Sequence, residues 1–256
     1  MIDLHSHLLP AVDDGARSVE QAVAVLGTMA QHGVTGVCLT PHLTATEAEV
    51  GVPGAHDAAF ARLAAAAPAA PQLHRGAEVM LDRPLGRAAA ANSAVRLGGT
   101  RYILVEFPRL VAAATVSHAL AHVVSMGLVP LLAHPERYSC CTPEMVKRWR
   151  AFGGVMQVDA TTLLSPRRRG ERARKLVSEG LADILAADNH GDSRLLTTGH
   201  AMLCEHGGTE QAELLTTRNP AAILANGLCD NVPPLAFRVS VIERLRRLWH
   251  QAGEEP

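Results

Sequence analysis

The chain has 256 residues, 48% of them hydrophobic and 19% charged, with a formal net charge of −1. That is enough for one large α/β domain or two small ones with a sizeable core. It lacks the electrostatic footprint of a nucleic-acid binder and the composition of a disordered tail, and 3% aromatics leave no base-stacking platform.

The first apolar run is "IDLH" (2–5), inside "MIDLHSHLLPAVDDGARS". The segment "SVEQAVAVLGTMAQHG" follows as a helix, with Ser18 as cap, Gln21 at capping-box spacing and Gly33 as stop. "VTGVCLT" (34–40) reads as a second strand, 43–57 as a loop and "AAAAPAAP" (64–71) as a helix end and loop. "QLHRGAEV" (72–79) and "RYILVEF" (101–107) read as the third and fourth strands. Between Leu110 and Pro135 no Asp, Glu, Lys or Arg occurs, a length that could span a bilayer. His118, His122, Gly127, Pro130 and His134 within it argue instead for a buried helix at about 113–126, a turn and the strand "LVPLLAH" (128–134). No membrane insertion is expected.

Thr142 and Pro143 then open a helix, "GVMQVDA" (154–160) and "ADILAAD" (182–188) complete the strands, and Asn219 with Pro220 repeats the cap signature. Most strands are continuous apolar runs, as in a parallel sheet covered on both faces. Strand–helix alternation predicts an α/β fold, and seven strands favour barrel-like closure over an open sheet. Five cysteines at irregular spacing give no disulfide framework and no CxxC pair, and no secretory signal precedes the first strand. The expected compartment is the cytoplasm.

Polar residues gather at one end of these strands. His5 and His7 follow the first, His42 the second, Glu78 the third, Glu106 the fourth, His134 the fifth, and Asp188 and His190 the seventh. In a β/α barrel the carboxyl ends of the strands form one face, where active sites gather. Imidazole and carboxylate without thiolate suit Mn, Fe or Zn. The donors outnumber the needs of one ion. Clustered divalent ions activate water and clamp phosphoryl oxygens, and Arg137 and Arg194 lie three and four residues beyond His134 and His190, placed to hold a phosphate. A thiol phosphatase needs Cys, five residues, then Arg. No cysteine has that spacing, and Cys141 comes nearest with Lys147.

"MIDLHSHLLPAVDDGARS", "TPH", "GAEV", "VEFP", "LLAHPERY" and "ADNHGDSR" resemble, in order and spacing, the bacterial tyrosine phosphatases of the PHP (polymerase and histidinol phosphatase) superfamily. The resemblance runs from Met1 to about Asn226. It implies a distorted (β/α)7-type barrel in a single domain over 1–230, with a trinuclear and usually manganese-dependent centre, iron or zinc being alternatives. His5, His7, Glu78 and Asp188 would bind one ion. Glu78 would bridge to a second, held also by Glu106 and His134, and Asp14, His42 and His190 would hold the third. Asp14 has a competing reading as a turn residue before Gly15. Asp13 and Gln157 read as support. Arg137 and Arg194 match the phosphate-contacting arginines, against the bland alternatives of a pair with Glu136 or Glu106 for Arg137, and a helix cap or salt bridge for Arg194.

The implied substrate is the phosphotyrosine tail of a bacterial tyrosine kinase that governs capsule or exopolysaccharide assembly. A phosphoesterase acting on a small phosphomonoester such as histidinol phosphate is the alternative, and a non-catalytic scaffold the third reading. Departures from the family are a single histidine in "TPHL", a His190–Arg194 interval one residue short, and a 43–57 loop without aromatic or amide residues. Three features stay outside the site. His118 and His122 read as core or interface residues. The basic run "PRRRGERARK" (166–175) either guides a polyanion or is a solvated helix face. The 231–256 extension is read as helical, covering the barrel or forming an oligomer contact.

Overall fold

The computed structural model describes residues 1–237. Nine strands pair in parallel: β1 (Ile2–Ser6), β2 (Gly36–Leu39), β3 (His42–Thr44), β4 (Gln72–Arg75), β5 (Glu78–Met80), β6 (Tyr102–Glu106), β7 (Val129–Ala133), β8 (Val155–Asp159) and β9 (Ile184–Ala186). They make a three-stranded sheet, β1-β2-β4, and a six-stranded sheet, β3-β5-β6-β7-β8-β9. A single parallel bridge between Ser6 and Asn189 joins the end of β1 to the chain beyond β9.

The third expected strand is broken in two, and the second, at 34–40, is followed by a further short strand that was not expected. Thr40 and Pro41 separate β2 from β3, and Gly76 and Ala77 separate β4 from β5. Pro41 has no N–H to give the ladder. At Gly76 the neighbouring strand and loop come so close that a Cβ would lie 2.9 Å from Leu97 Cδ2 and 3.1 Å from Cys38 Sγ. Pairing resumes beyond the break, where Glu78 N–H donates to Pro41 O at 3.0 Å. His42 and Glu78 therefore begin new strand segments rather than ending old ones.

Both strand faces are covered, which is why the runs read as unbroken apolar sequence. In β6, Ile103 and Val105 pack with the large cluster that includes Val116, Leu120 and Trp149. Tyr102 and Leu104 pack with Leu4, Leu131, Ala133 and Ile184 in a second cluster. A third, with Leu26, Met29, Val37 and Leu63, sits under the helices α1 (Val19–Gln31) and α3 (Gly54–Ala66). Ser18 caps α1 through the Gln21 N–H at 3.2 Å. The box is not reciprocal, because Gln21 Oε1 accepts from the Arg17 N–H at 2.9 Å rather than from Ser18, while its Nε2 donates to Gly191 O at 2.7 Å and ties α1 to the loop after β9.

Four expectations change. The 43–57 segment is largely regular: it ends β3, forms α2 (Ala45–Val50) with a full Thr44–Glu47 capping box, and starts α3. After α4 (Arg87–Ala91), the helix at about 113–126 is α5 (Ala113–Ser125); His118 on it is exposed rather than core, and the His122 ring lies 2.8 Å from Leu85 O. Asn219 is not a cap. A π-helical turn carries the chain from α9 (Thr209–Glu213) straight into α10 (Asn219–Leu224). The Asn219 amide instead donates to Asp183 O and Asp230 O. Finally, residues 231–237 are irregular, with Val232 and Leu235 buried, and the rest of the expected helical extension lies outside the described residues. No helix among the described residues is long and apolar enough to cross a membrane.

Leu104 is fully buried in the middle of β6. Leu104→Ala should lower the unfolding free energy by about 2–5 kcal/mol, read from urea denaturation. A loss well under 1 kcal/mol would mean that the inner cluster is not packed as described.

Candidate metal centre

Six segments that are distant in sequence bring their polar side chains to one place. On β1 the register against β2 shifts between Asp3 and Ser6, an irregularity of the kind that re-aims side chains beside active sites. His5 within it and His7 just beyond it present their Nε2 atoms to each other at 3.1 Å. Glu78 Oε2 lies 3.2 Å from His5 Nε2, 3.3 Å from His7 Nε2 and 3.0 Å from His42 Nδ1, while Glu78 Oε1 lies 2.9 Å from His134 Nε2. Asp188 Oδ1 is 3.2 Å from His5 Nε2 and 3.3 Å from His7 Nε2. Asp14 Oδ1 sits 3.4 Å from both His42 Nε2 and His190 Nε2. Glu106 approaches His42 at 3.4 Å and His134 at 3.7 Å.

The donor atoms fall into four overlapping groups, each within 4.8 Å: His7, Asp14, His42 and His190; His5, Glu78 and His134; His5, His7 and Asp188; His42, Glu78 and Glu106. All nine residues read from the sequence as ligands are in these groups.

Backbone conformation helps to aim them. By strand alternation His134 would face the helices with Pro130 and Leu132. It has φ 34° instead, and this left-handed turn points the ring at Glu78. Asp188, two residues beyond β9, has φ 49°. Non-glycine residues seldom adopt this region, and when they do they concentrate at functional sites.

Supporting side chains fix the rings. The Asp13 carboxylate lies 2.8 Å from His7 Nδ1 and also accepts the Gly15 and His42 amides. Gln157 Oε1 lies 3.1 Å from His5 Nδ1 and accepts the His134 amide. His190 Nδ1 is 2.9 Å from Asp188 O. Bonds at Nδ1 leave Nε2 facing the cluster, as in metal sites where an outer partner sets the tautomer. Gly15 makes the turn possible, since a Cβ there would fall 1.9 Å from His7 O.

Two arginines flank Asp188. Arg137 Nη2 donates to Asp159 Oδ2 at 2.7 Å and to Asp188 Oδ2. It pairs with neither Glu136 nor Glu106. Arg194 Nη1 is 3.7 Å from Asp188 Oδ2, and its other nitrogens bond to Asp192.

The electrostatics call for cations. Burial alone would raise the Glu78 and Asp188 carboxyls, but His5 first, with the other imidazoles, and for Asp188 also Arg137, holds both well below the usual carboxylate range. Burial alone would lower the His42 imidazole, yet its bonds to Glu106 and Glu78 lift it to about 10. His7 is likewise lifted well above its ordinary value by Asp13, Asp188 and Glu78 against its burial. Asp188 Oδ1 is buried without a hydrogen bond. That orphan oxygen and the imidazole–carboxylate donor set both fit divalent ions of the Mn, Fe or Zn kind.

A family model described as "Capsular polysaccharide synthesis, CpsB/CapC" matches residues 1–225. The chain belongs to this CpsB/CapC family. Relatives within reach are the tyrosine-protein phosphatases CpsB of Streptococcus agalactiae, CpsB of Streptococcus pneumoniae and YwqE of Bacillus subtilis, each 26% identical. The alignments cover 88%, 89% and 91% of this chain and 99%, 100% and 95% of those proteins. A solved structure from work on YwqE of B. subtilis and CpsB of S. pneumoniae, described as metal-dependent tyrosine phosphatases, aligns over 93% of this chain and 100% of its own at TM-score 0.75 and 24% identity. The shared fold is thus that of the CpsB/CapC proteins, a mixed α/β domain with parallel sheets.

In this CpsB/CapC chain two supporting residues went unread in the sequence. Asp159 lies two residues beyond Gln157 on the same face of β8 and holds Arg137. Asp3, fully buried and pushed up to about 7 by that burial, accepts the His5 and Ala187 amides and so joins β1 to the end of β9. Period-two spacing from Gln157 and from His5 was the available signal for both.

The His42 imidazole, lifted to about 10, holds its proton at neutral pH when no ion is bound, and His7 is shifted in the same direction, so metal uptake has to compete with protons. Apparent Mn²⁺ affinity should therefore rise as pH increases from about 6 to 8, with proton release seen by calorimetry in buffers of different ionisation heat. An affinity independent of pH would contradict these donors.

Proposed function

We propose that the chain is a metal-dependent protein-tyrosine phosphatase with a centre of three divalent ions, manganese first among the candidates. The observation that carries this reading is the convergence of nine donors into overlapping groups, with Arg137 and Arg194 on either side of Asp188. Shared membership of His5, His7, His42 and Glu78 in more than one group favours several ions over one. His5, His7, Glu78 and Asp188 would hold the first, Glu78, Glu106 and His134 the second, and Asp14, His42 and His190 the third. Such ions, when bound, lower the pKa of water and neutralise phosphoryl charge.

The chain's own side chains then have defined tasks. Asp159 fixes the Arg137 guanidinium in place, so that it can present N–H donors to a phosphate oxygen as charge builds. Arg194 would close the other side. Asp13 and Gln157 keep the His7 and His5 rings from turning. The exposed Asp14 and His42 at the outer edge leave the site open to a phosphate carried on a protein.

Cysteine chemistry has no support. Burial raises the Cys38, Cys141 and Cys229 thiols to about 12, and also raises Cys140, the reverse of a nucleophilic cysteine. The free cysteines fit a reducing cytoplasm. The names of the relatives favour a phosphotyrosine protein over a small phosphomonoester. The family description, capsular polysaccharide synthesis, is compatible with the substrate proposed here, the phosphotyrosine tail of a bacterial tyrosine kinase that governs that process. The Ser6–Asn189 bridge supports a distorted barrel of seven strand positions, with β2 and β3 sharing one and β4 and β5 another.

Hydrolysis of a phosphotyrosine peptide should need Mn²⁺, stop on chelation and survive thiol alkylation. Activity that persists without metal and is lost on alkylation would overturn the mechanism. Arg137→Ala should lower kcat/KM by about 100-fold with metal content retained. Wild-type kinetics in that variant would leave Arg137 as a structural partner of Asp159 only.

A further inference from the structure

The basic run 166–175 carries six arginine or lysine residues and one glutamate in a chain of net charge −1. Its members divide into two kinds. Arg172 donates to Tyr138 O, Arg174 donates to Leu163 O and Ser165 O, and Lys175 pairs with Glu179 at 3.0 Å. The two arginines brace the helix α7 (Arg168–Ser178) against its surroundings, and Lys175 is paired with the residue that caps the end of that helix. Arg167, Arg168 and Arg169 are exposed, and none of their guanidinium groups has a hydrogen-bond or ion-pair partner among the described residues.

Two of the three open onto one cavity. Arg167 and Arg169 line a space of about 270 Å³ together with Thr161, Thr162, Ser165 and Arg137. Asp159 is the one carboxylate in the lining. It is 2% exposed and already accepts from Arg137 and from the Thr161 and Thr162 amides. Its charge is therefore neutralised, and the cavity is left with two uncompensated cations, hydroxyl donors and the positive first turn of α7. Because the Arg137 guanidinium both lines this cavity and bonds to Asp188, the cavity begins where the phosphate site ends.

We propose that this cavity is a specificity subsite that takes an anionic group next to the phosphotyrosine, so that the preferred substrate is an acidic phosphopeptide. The proposal rests on the phosphatase reading above and deepens it. A glutamate or aspartate carboxylate and a second phosphate offer the same chemistry to Arg167 and Arg169, hydrogen-bonded charge on a short stem.

The test uses the full-length, Mn²⁺-loaded chain with four substrates: p-nitrophenyl phosphate and three phosphotyrosine peptides flanked by alanines, by glutamates or by a second phosphotyrosine. Wild type should favour an anionic peptide over the alanine peptide by about tenfold in kcat/KM, less at high salt. Whichever of the two anionic peptides shows the preference identifies the source of the charge. The double variant Arg167→Ala, Arg169→Ala should bring that peptide down to the alanine level while p-nitrophenyl phosphate turnover stays unchanged. Arg168→Ala should keep the preference, since Arg168 lines a different cavity with Ser139 and Lys175. Equal rates on all three peptides in wild type, a preference that survives in the double variant, or an equal loss in Arg168→Ala would overturn the subsite. If no substrate is hydrolysed, the phosphatase reading fails and fluorescence anisotropy with the labelled acidic peptides decides the subsite: binding lost in the double variant upholds it, and absent or unchanged binding overturns it.

Discussion

A single buried carboxylate sets the terms for this structure. Glu78 is 1% exposed, and four imidazoles lie within 3.3 Å of its two oxygens. An ionised carboxylate in such a place is costly unless cations compensate it. The carboxylate draws His5, His7 and His42 upward toward their protonated forms, which compensates part of that cost; divalent ions can supply the compensation instead. The same geometry that makes the site expensive therefore makes it selective for cations.

Much of the fold can be understood as the means of holding that carboxylate in place. The breaks at Pro41 and Gly76 let β3 and β5 start afresh, so His42 and Glu78 sit directly opposite each other in register. The irregularity in β1 brings His5 and His7 alongside, and left-handed backbone at His134 and Asp188 turns two further donor side chains inward. A ring of uncharged or paired groups, Gln157, Asp13 and Asp159, removes the rotational freedom that would otherwise blur the donor set. Around it, apolar clusters on both strand faces supply rigidity with no polar demands of their own.

Much of this could be read from the residues. Seven apolar runs gave the strand positions, and the recurrence of His, Asp and Glu after them gave eight of the nine donors that come together in space; Asp14 came only from the family resemblance. What failed to show were features decided by tertiary contact. Asn219 carried a cap signature, but the chain arrives there already helical, so its amide ties two loops together instead. The segment 43–57 looked like a loop because it lacks a long apolar period, although the Thr44–Glu47 capping box was present in the letters. Asp159 hid behind Gln157, since the partner it serves, Arg137, is 22 residues away in sequence. The basic run could not be sorted at all without knowing which guanidinium groups meet carbonyl oxygens and which meet open space.

The central claim is that these nine donors form a centre for more than one ion. Anomalous diffraction from crystals soaked in Mn²⁺ tests it most directly. At least two strong peaks are expected among the four donor groups, at distances of about 2.0–2.3 Å from imidazole nitrogens and carboxylate oxygens. A cluster that stays free of metal, or manganese bound only elsewhere on the chain, would contradict it.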